Sequence, residues 1–245
     1  MSQTTHAVIL GATSDIAHAT ARLLAKQGYQ LTLVARNQAK LDANAQDLKA
    51  RGAASVEVIV ADFTHQEAAA SVAQKITFPV SLLILAHGVL GDQTQLLTDA
   101  AARTELYQVN TLSYIECLSQ LIAPFQEQKS GQIVIISSVA ADRVRQSNFF
   151  YGSSKAAVSA FASGLRNYLY PAGVHVMTVH PGFVATAMTA HLDQGPLFAE
   201  PKSVARDILR GLDKGRNVLY TPFFWRYIML VIRSIPEFVF KRLKL

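Results

Sequence analysis

The chain is poor in cysteine, in charge and in long apolar runs, and each shortage excludes something. A single cysteine, Cys117, among 245 residues leaves no internal disulfide framework and suits a reducing cytoplasm. It lies in an apolar helical stretch, where a thiol is expected to pack inertly. Only 16% of residues are charged while 50% are hydrophobic, which excludes a disordered chain and allows one sizeable core. No run of roughly eighteen uncharged apolar residues occurs, so no conventional membrane-spanning helix is expected. The opening residues Met1–His6 carry neither the basic nor the apolar region of a secretory signal, and a strand is expected directly after them. No Cys/His/Asp group has metal-ligand spacing; His175 and His180 stand an odd number apart on one expected strand and face opposite sides. No metal is expected.

The net charge of +6 is lodged in one place. Residues 202–245 hold ten Lys and Arg against Asp207, Asp213 and Glu237, and the rest of the chain is close to neutral. A nucleic-acid reader would spread basic residues over a groove or a recognisable binding helix. Here they accompany an apolar tail, so no nucleic acid is expected. From Phe223 to Ile232 the only charge is Arg226, and Arg233 follows seven residues later on nearly the same helical face. Trp225, Tyr227 and several phenylalanines between cations suit a helix lying in an anionic membrane surface. Packing on the substrate side, or against another subunit, is the competing expectation. Ser234-Ile-Pro-Glu237 reads as a capping box opening a second helix that ends in Lys241, Arg242 and Lys244.

Short apolar runs at Ala7–Leu10, Gln30–Ala35, Val56–Ala61, Leu82–Ala86, Gln132–Ser137 and Val174–His180 suit parallel strands buried on both faces. A last short strand is expected at Asn217–Tyr220. Helical segments are expected between them at about 15–27, 38–51, 65–76, 104–128, 151–170 and 203–214. This alternation predicts an α/β fold, a Rossmann-type doubly wound parallel sheet of about seven strands with helices on both faces. Residues 1–222 are expected to form one dinucleotide-binding catalytic domain. The apolar basic helical tail, 223–245, is not expected to be an independent domain.

Tyr151 and Lys155 are four residues apart, one turn along a helix face. An ammonium beside a phenol favours the phenolate, so Lys155 is expected to lower the tyrosine pKa and make Tyr151 a general acid for a carbonyl oxygen. Ser138 lies thirteen residues upstream and Asn110 further back. The first strand runs into Gly11-Ala-Thr13-Ser14-Asp15-Ile16, a turn and helix start whose free amides suit a phosphate, although Gly11 is its only glycine. Arg36 closes the second strand, where an arginine suits a ribose 2′-phosphate and so favours NADP(H) over NAD(H). Asp62 and Phe63 follow the third strand, where a carboxylate can accept from an adenine amino group.

Together these residues resemble the short-chain dehydrogenase/reductase family over nearly the whole chain. The likeness includes the turn at Gly11–Ala17, Ala86-His87-Gly88 after the fourth strand, the set Asn110, Ser138, Tyr151 and Lys155, and Pro181-Gly182-Phe-Val184-Ala-Thr186 after the sixth strand. The resemblance implies an oxidoreductase acting on a ketone or alcohol. Tyr151 would be proton donor or base. Lys155 would hold the nicotinamide ribose, Ser138 would bond the substrate oxygen, and Asn110 would position a water leading to Lys155. The family's thirteen-residue spacing selects Ser138 over Ser137. The turn residues, Arg36, Asp62, Phe63, Ala86, Gly88, Pro181, Gly182, Val184 and Thr186 would contact cofactor. His87, standing where the family has asparagine, could contact cofactor or be structural. Asp15, where most members have glycine, must point away from a pyrophosphate, as a helix cap could.

Gly11–Asp15 and Ala86–Asp92 are most similar to the branch of decaprenylphosphoryl-2-keto-pentose reductases, which implies a keto-sugar on a lipid carrier. A soluble 3-oxoacyl or small-ketone reductase, and a non-catalytic dinucleotide-binding sensor, are the alternatives. Residues 183–201, with Met188, Leu192, Leu197 and Phe198, are expected to form a substrate lid. Small residues Ala156, Ala157, Ala160, Ala162, Ser163 and Gly164 suit either the sheet or a homodimer or homotetramer contact. The expected location is the cytoplasm, with the tail on the inner face of the membrane.

Overall fold

A computed structural model describes residues 5–243; Lys244 of the tail and Met1–Thr4 lie outside the described residues. The elements alternate as β1 (His6–Leu10), α1 (Asp15–Lys26), β2 (Gln30–Ala35), α2 (Gln38–Ala50), β3 (Ser55–Val60), α3 (Ala68–Lys75) and β4 (Leu82–Leu85). There follow α4 (Gln93–Thr98), α5 (Ala100–Tyr107), a π-helical turn (Gln108–Leu112), α6 (Ser113–Gln128) and β5 (Gln132–Ile136). The chain continues with α7 (Phe149–Leu169), β6 (His175–Pro181), α8 (Pro201–Asp213), β7 (Val218–Thr221), α9 (Trp225–Ser234) and α10 (Glu237–Phe240). All seven strands are parallel, in the order β3-β2-β1-β4-β5-β6-β7.

The apolar runs form strands because both of their faces are covered. Successive side chains point to opposite sides of a strand, so each run divides between two cores. Ala7, Ile9, Leu82, Ile84, Val134, Met177 and Val179 pack with α1, α2 and α8 on one face. Val8, Leu10, Leu83, Leu85, Ile133, Ile135 and Val176 pack with α3, α6 and α7 on the other. Cys117 belongs to this second core, where burial pushes its thiol up to about 12 and leaves it inert. Strand order reverses between β1 and β4, and the loops diverging there open a crevice at the strands' C-terminal ends.

Two expected elements differ. The expected helix over 104–128 starts earlier, at Ala100, because Asp99 accepts from the amides of Ala101 (2.9 Å) and Ala102 (3.1 Å), and a π turn divides it into α5 and α6. The π turn between α5 and α6 carries Asn110. The expected capping box at Ser234 does not form. Ser234 Oγ donates back to the Leu230 carbonyl at 2.8 Å, and Pro236 precedes the short α10. The chain there is instead fastened by Arg143. Its guanidinium donates to the carbonyls of Ile232, Arg233 and Ile235 and pairs with Glu237 at 3.0 Å.

One face of the tail packs on the domain and the other is exposed. Trp225 and Met229 are buried with Val139, beside the serine loop, with Phe183 and Tyr220 packed against them. Phe223, Tyr227, Leu230, Val231 and Phe238 are exposed. Among the described residues no helix is long and apolar enough to cross a membrane. On α7, Ala162 faces the sheet, while Ala157, Ala160, Ser163 and Gly164 face outward.

Candidate active site

A cleft of about 540 Å³ opens over the C-terminal ends of β1, β2, β4, β5 and β6. Every residue singled out in the sequence as catalytic or cofactor-binding lines it, except Asn110. At its base, Gly11 has φ +77°, and a Cβ there would overlap the His87 backbone. The β1 and β4 turns can therefore meet only through glycine. Ser14 caps α1, its hydroxyl accepting from Ala17 N, and the amides of Asp15 and Ile16 have no acceptor among the described residues. Asp15 is not the cap; its carboxylate accepts from Ala187 N at 2.9 Å and joins the turn to the segment after β6. The open amides at a helix N-terminus, in a close-packed glycine turn, fit the pyrophosphate of a dinucleotide.

Arg36 stands exposed at the end of β2, and Lys40, which the sequence reading missed, lines the same wall one turn into α2. Asp62 accepts from Thr64 N at 3.0 Å, which with neighbouring charges holds its carboxyl below the usual range. The Phe63 ring stacks at 4.3 Å on His87. His87 Nε2 is 2.8 Å from Ser113 Oγ, and its ring lies 4.1 Å from that of Tyr114. Burial, then the Lys155 charge, pushes its pKa well below the usual histidine range, so it is a neutral packing residue that borders the cleft.

The catalytic candidates gather on the opposite wall. Gly152 lets the first turn of α7 approach the Ala140 carbonyl, where a Cβ would sit at 3.1 Å, and this sets Tyr151 beside the serine loop. Ser138 extends from the end of β5, its Oγ accepting from Ala140 N at 3.1 Å. Ser137 turns away, donating to the Lys155 carbonyl at 3.1 Å and bonding Ser159 at 2.7 Å. Lys155 is buried; Nζ donates to the Ile136 carbonyl at 3.2 Å and lies 5.1 Å from the Tyr114 ring centre. Asn110 is wholly buried. Its amide donates to Val89 O (2.8 Å) and Ser154 Oγ (3.1 Å) and accepts from Val89 N (2.8 Å), so it holds the β4 turn against α7. A Cβ on Gly88 would lie 3.1 Å from Asn110 Oδ1 and 3.3 Å from Lys155 Nζ, tight enough that either side chain would have to shift.

One electrostatic expectation is overturned. Burial raises the Tyr151 pKa, with the Ser138 hydroxyl pulling the other way, and Lys155 does not bring it towards neutrality. Burial also lowers Lys155 to about 8. Desolvation is the leading cause for both groups, and the phenol is held protonated.

The segment after β6 returns on itself through a bridge between Val184 and Ala199. Met188 and Leu192 line the cleft; Leu197 and Phe198 do not, Phe198 stacking instead on Phe183 at 5.2 Å. Gly182 is fixed by the tail, since a Cβ there would overlap the Trp225 indole. Arg145 also lines the cleft and was not foreseen, because nothing in its local sequence separates it from a solvated cation.

Comparison with known proteins identifies the family and the fold. Residues 5–196 match the model of the short chain dehydrogenase family. An uncharacterized oxidoreductase of Mycobacterium tuberculosis is 35% identical over 239 residues, covering 96% of each chain. A short-chain dehydrogenase from Sphingobium yanoikuyae, solved in complex with NADPH, superposes with a TM-score of 0.83 at 26% identity, over 95% of this chain and 97% of that one. A bulky-bulky ketone specific alcohol dehydrogenase from Comamonas testosteroni gives 0.82 at 25% identity, over 95% of both chains.

Proposed function

The chain belongs to the short-chain dehydrogenase family and is an NAD(P)-dependent oxidoreductase, and on that premise we propose that it is an NADPH-dependent carbonyl reductase. The observation that carries this reading is the shared cleft of Tyr151, Ser138 and Lys155, with the phenol kept in its acid form by burial. NADPH, held in this cleft, would supply the hydride. Tyr151 gives its proton to the ketone oxygen, and Ser138 Oγ donates a hydrogen bond to that oxygen as it gains negative charge. Lys155 holds the ribose end of the site, and Asn110 keeps the β4 turn in place beneath it. A keto-sugar on a lipid carrier is the finer substrate reading, supported by the similarity of Gly11–Asp15 and Ala86–Asp92 to that branch. The test is NADPH oxidation against soluble and lipid-linked ketones. Thermal stabilisation by NADPH without turnover of any carbonyl would leave the non-catalytic sensor instead.

Arg36 and Lys40 support preference for NADP(H), since both cations border the end of β2, where the fold presents the adenosine ribose. Arg36→Asp is expected to lower kcat/KM for NADPH by about 100-fold relative to NADH, the scale of losing a charge-assisted phosphate contact and gaining a repulsive one. An unchanged NADPH/NADH ratio would remove Arg36 from this role.

The exposed face of α9 supports attachment to the anionic inner face of the membrane from the cytoplasm. Phe223, Tyr227, Leu230 and Val231 stand beside a groove bordered by Arg216, Arg226 and Arg233. Flotation with phosphatidylglycerol vesicles, but not with phosphatidylcholine vesicles, is the expected result. Leu230→Asp with Val231→Asp should weaken binding by about tenfold or more, given the apolar area withdrawn from the lipid. Equal recovery of wild type and variant with the vesicles would count against it. The outward stripe Ala157, Ala160, Gly164 on α7 supports pairing of subunits as a homodimer or homotetramer.

A further inference from the structure

The loop between β5 and α7 carries two acid–base contacts and one cation left over. Asp142, its side chain only 5% exposed, accepts from Tyr220 OH at 2.7 Å and lies 3.1 Å from His180 Nδ1. Glu237 is paired with Arg143. Both of these carboxylates are therefore engaged. Arg145 follows Asp142 and Arg143 in the same loop, lines the catalytic cleft and has no carboxylate partner among the described residues. Its Nε is sealed from water with no hydrogen-bond partner. Among the described residues the one acceptor that any of its nitrogens reaches is the Met229 thioether, 3.7 Å from Nη2, a weak acceptor.

Burial pulls the Arg145 pKa down from its ordinary value, but a guanidinium does not discharge near neutral pH. The group therefore remains a half-buried cation without compensation, an arrangement that costs stability. The neighbouring cleft wall is apolar, with Val139, Ala140, Met188 and Leu192. A neutral apolar substrate would strip further water from the guanidinium and offer it nothing. An oxyanion would match its planar donors two at a time, in surroundings where such a pair is stronger than in water.

We propose that Arg145 anchors an oxyanion, a carboxylate or a phosphate ester, carried by the substrate, so that the cleft selects anionic ketones. The proposal rests on the carbonyl reductase reading. Residue and catalytic wall share one cleft, so the anion and the carbonyl belong to the same molecule, with Met188 and Leu192 over its apolar part.

The test uses matched ketones: para-acetylbenzoate with its methyl ester, and para-acetylphenyl phosphate with para-methoxyacetophenone. For each, kcat/KM by NADPH oxidation and Kd by calorimetry on NADP⁺-saturated protein are measured in wild type, Arg145→Met and Arg145→Lys. Wild type is expected to favour the anionic member of at least one pair by about 10- to 100-fold, the range of a charge-assisted hydrogen-bonded pair. Arg145→Met should bring that ratio near unity, and Arg145→Lys should restore part of it. Preference confined to one pair identifies the oxyanion as carboxylate or phosphate. Absence of binding, equal binding within both pairs, preference for the neutral members, or an unchanged ratio in Arg145→Met overturns the anchor. Binding of the anionic members through Arg145 without NADPH oxidation would uphold the anchor and count against the reductase reading.

Discussion

Tyr151→Phe is expected to reduce ketone turnover by about 10²–10⁴-fold, the usual contribution of a positioned general acid, while leaving NADPH binding near its wild-type strength. The ring survives the substitution, so the packing of the first turn of α7 against Ala140 and Val144 is retained. What disappears is the one phenolic proton in the cleft wall beside Ser138. Because burial raises the Tyr151 pKa, the donor is charged with its proton at neutral pH, and reduction requires no prior titration. The reverse reaction needs the phenolate and should accelerate as pH rises. Single-turnover absorbance of NADPH reads the chemical step, and cofactor fluorescence reads binding. A variant retaining more than about a tenth of the wild-type rate would place the proton donor elsewhere, since a solvent proton seldom replaces a positioned acid so well.

The sheet was legible because its strands are buried on both faces. Runs such as Val-Ile-Leu and Leu-Leu-Ile-Leu have no other stable place in a chain of this size, and their alternation with helices leaves few topologies. Tyr151 and Lys155 were legible because four residues on one helix fix a geometry. Other parts depend on residues far apart in sequence. Arg143 reaches carbonyls about ninety positions away, next to a Ser234 whose hydroxyl bonds the Leu230 carbonyl and does not cap α10. Lys40 and Arg145 look like ordinary surface cations until the fold brings them to the cleft. The Tyr151 pKa was misjudged for a related reason. Proximity of an ammonium is visible in the sequence, but the burial of both groups is not, and burial wins. The tail presents both effects at once: its aromatic and basic composition was legible, whereas its division into a face held against Gly182 and a face left open required the packing of Trp225.

Lys155→Met is expected to make the cofactor-free protein more stable and far less active. Lys155 is only 3% exposed and its pKa falls to about 8 because burial penalises the ammonium. From 10.5 in the unfolded chain to about 8 in the fold, the penalty is on the order of 3 kcal/mol at neutral pH. Loss of the Nζ bond to the Ile136 carbonyl returns roughly 1 kcal/mol or more, so a net gain of about 1–2 kcal/mol is expected. The sign follows from proton counting. Below pH 8 the ammonium is charged in both states and the wild type bears the full penalty. Between pH 8 and 10.5 the unfolded chain keeps a proton that the folded chain has released, so wild-type stability rises by up to about 3 kcal/mol, closes the variant's lead within the window and passes it. The urea midpoint of the variant should therefore lie above that of the wild type at neutral pH, meet it within that window and fall below it near the upper end. Over the same alkaline range the wild-type reductase should lose activity as the ammonium discharges, and a fall on the order of a hundredfold at neutral pH is expected of the methionine variant. Equal stability of the two proteins at neutral pH, or a lead of the variant that widens with pH, would mean that Lys155 is solvated or paired in the cofactor-free fold. A lead that closes and reverses as described would make Lys155 a charge retained against stability for the chemistry of the cleft.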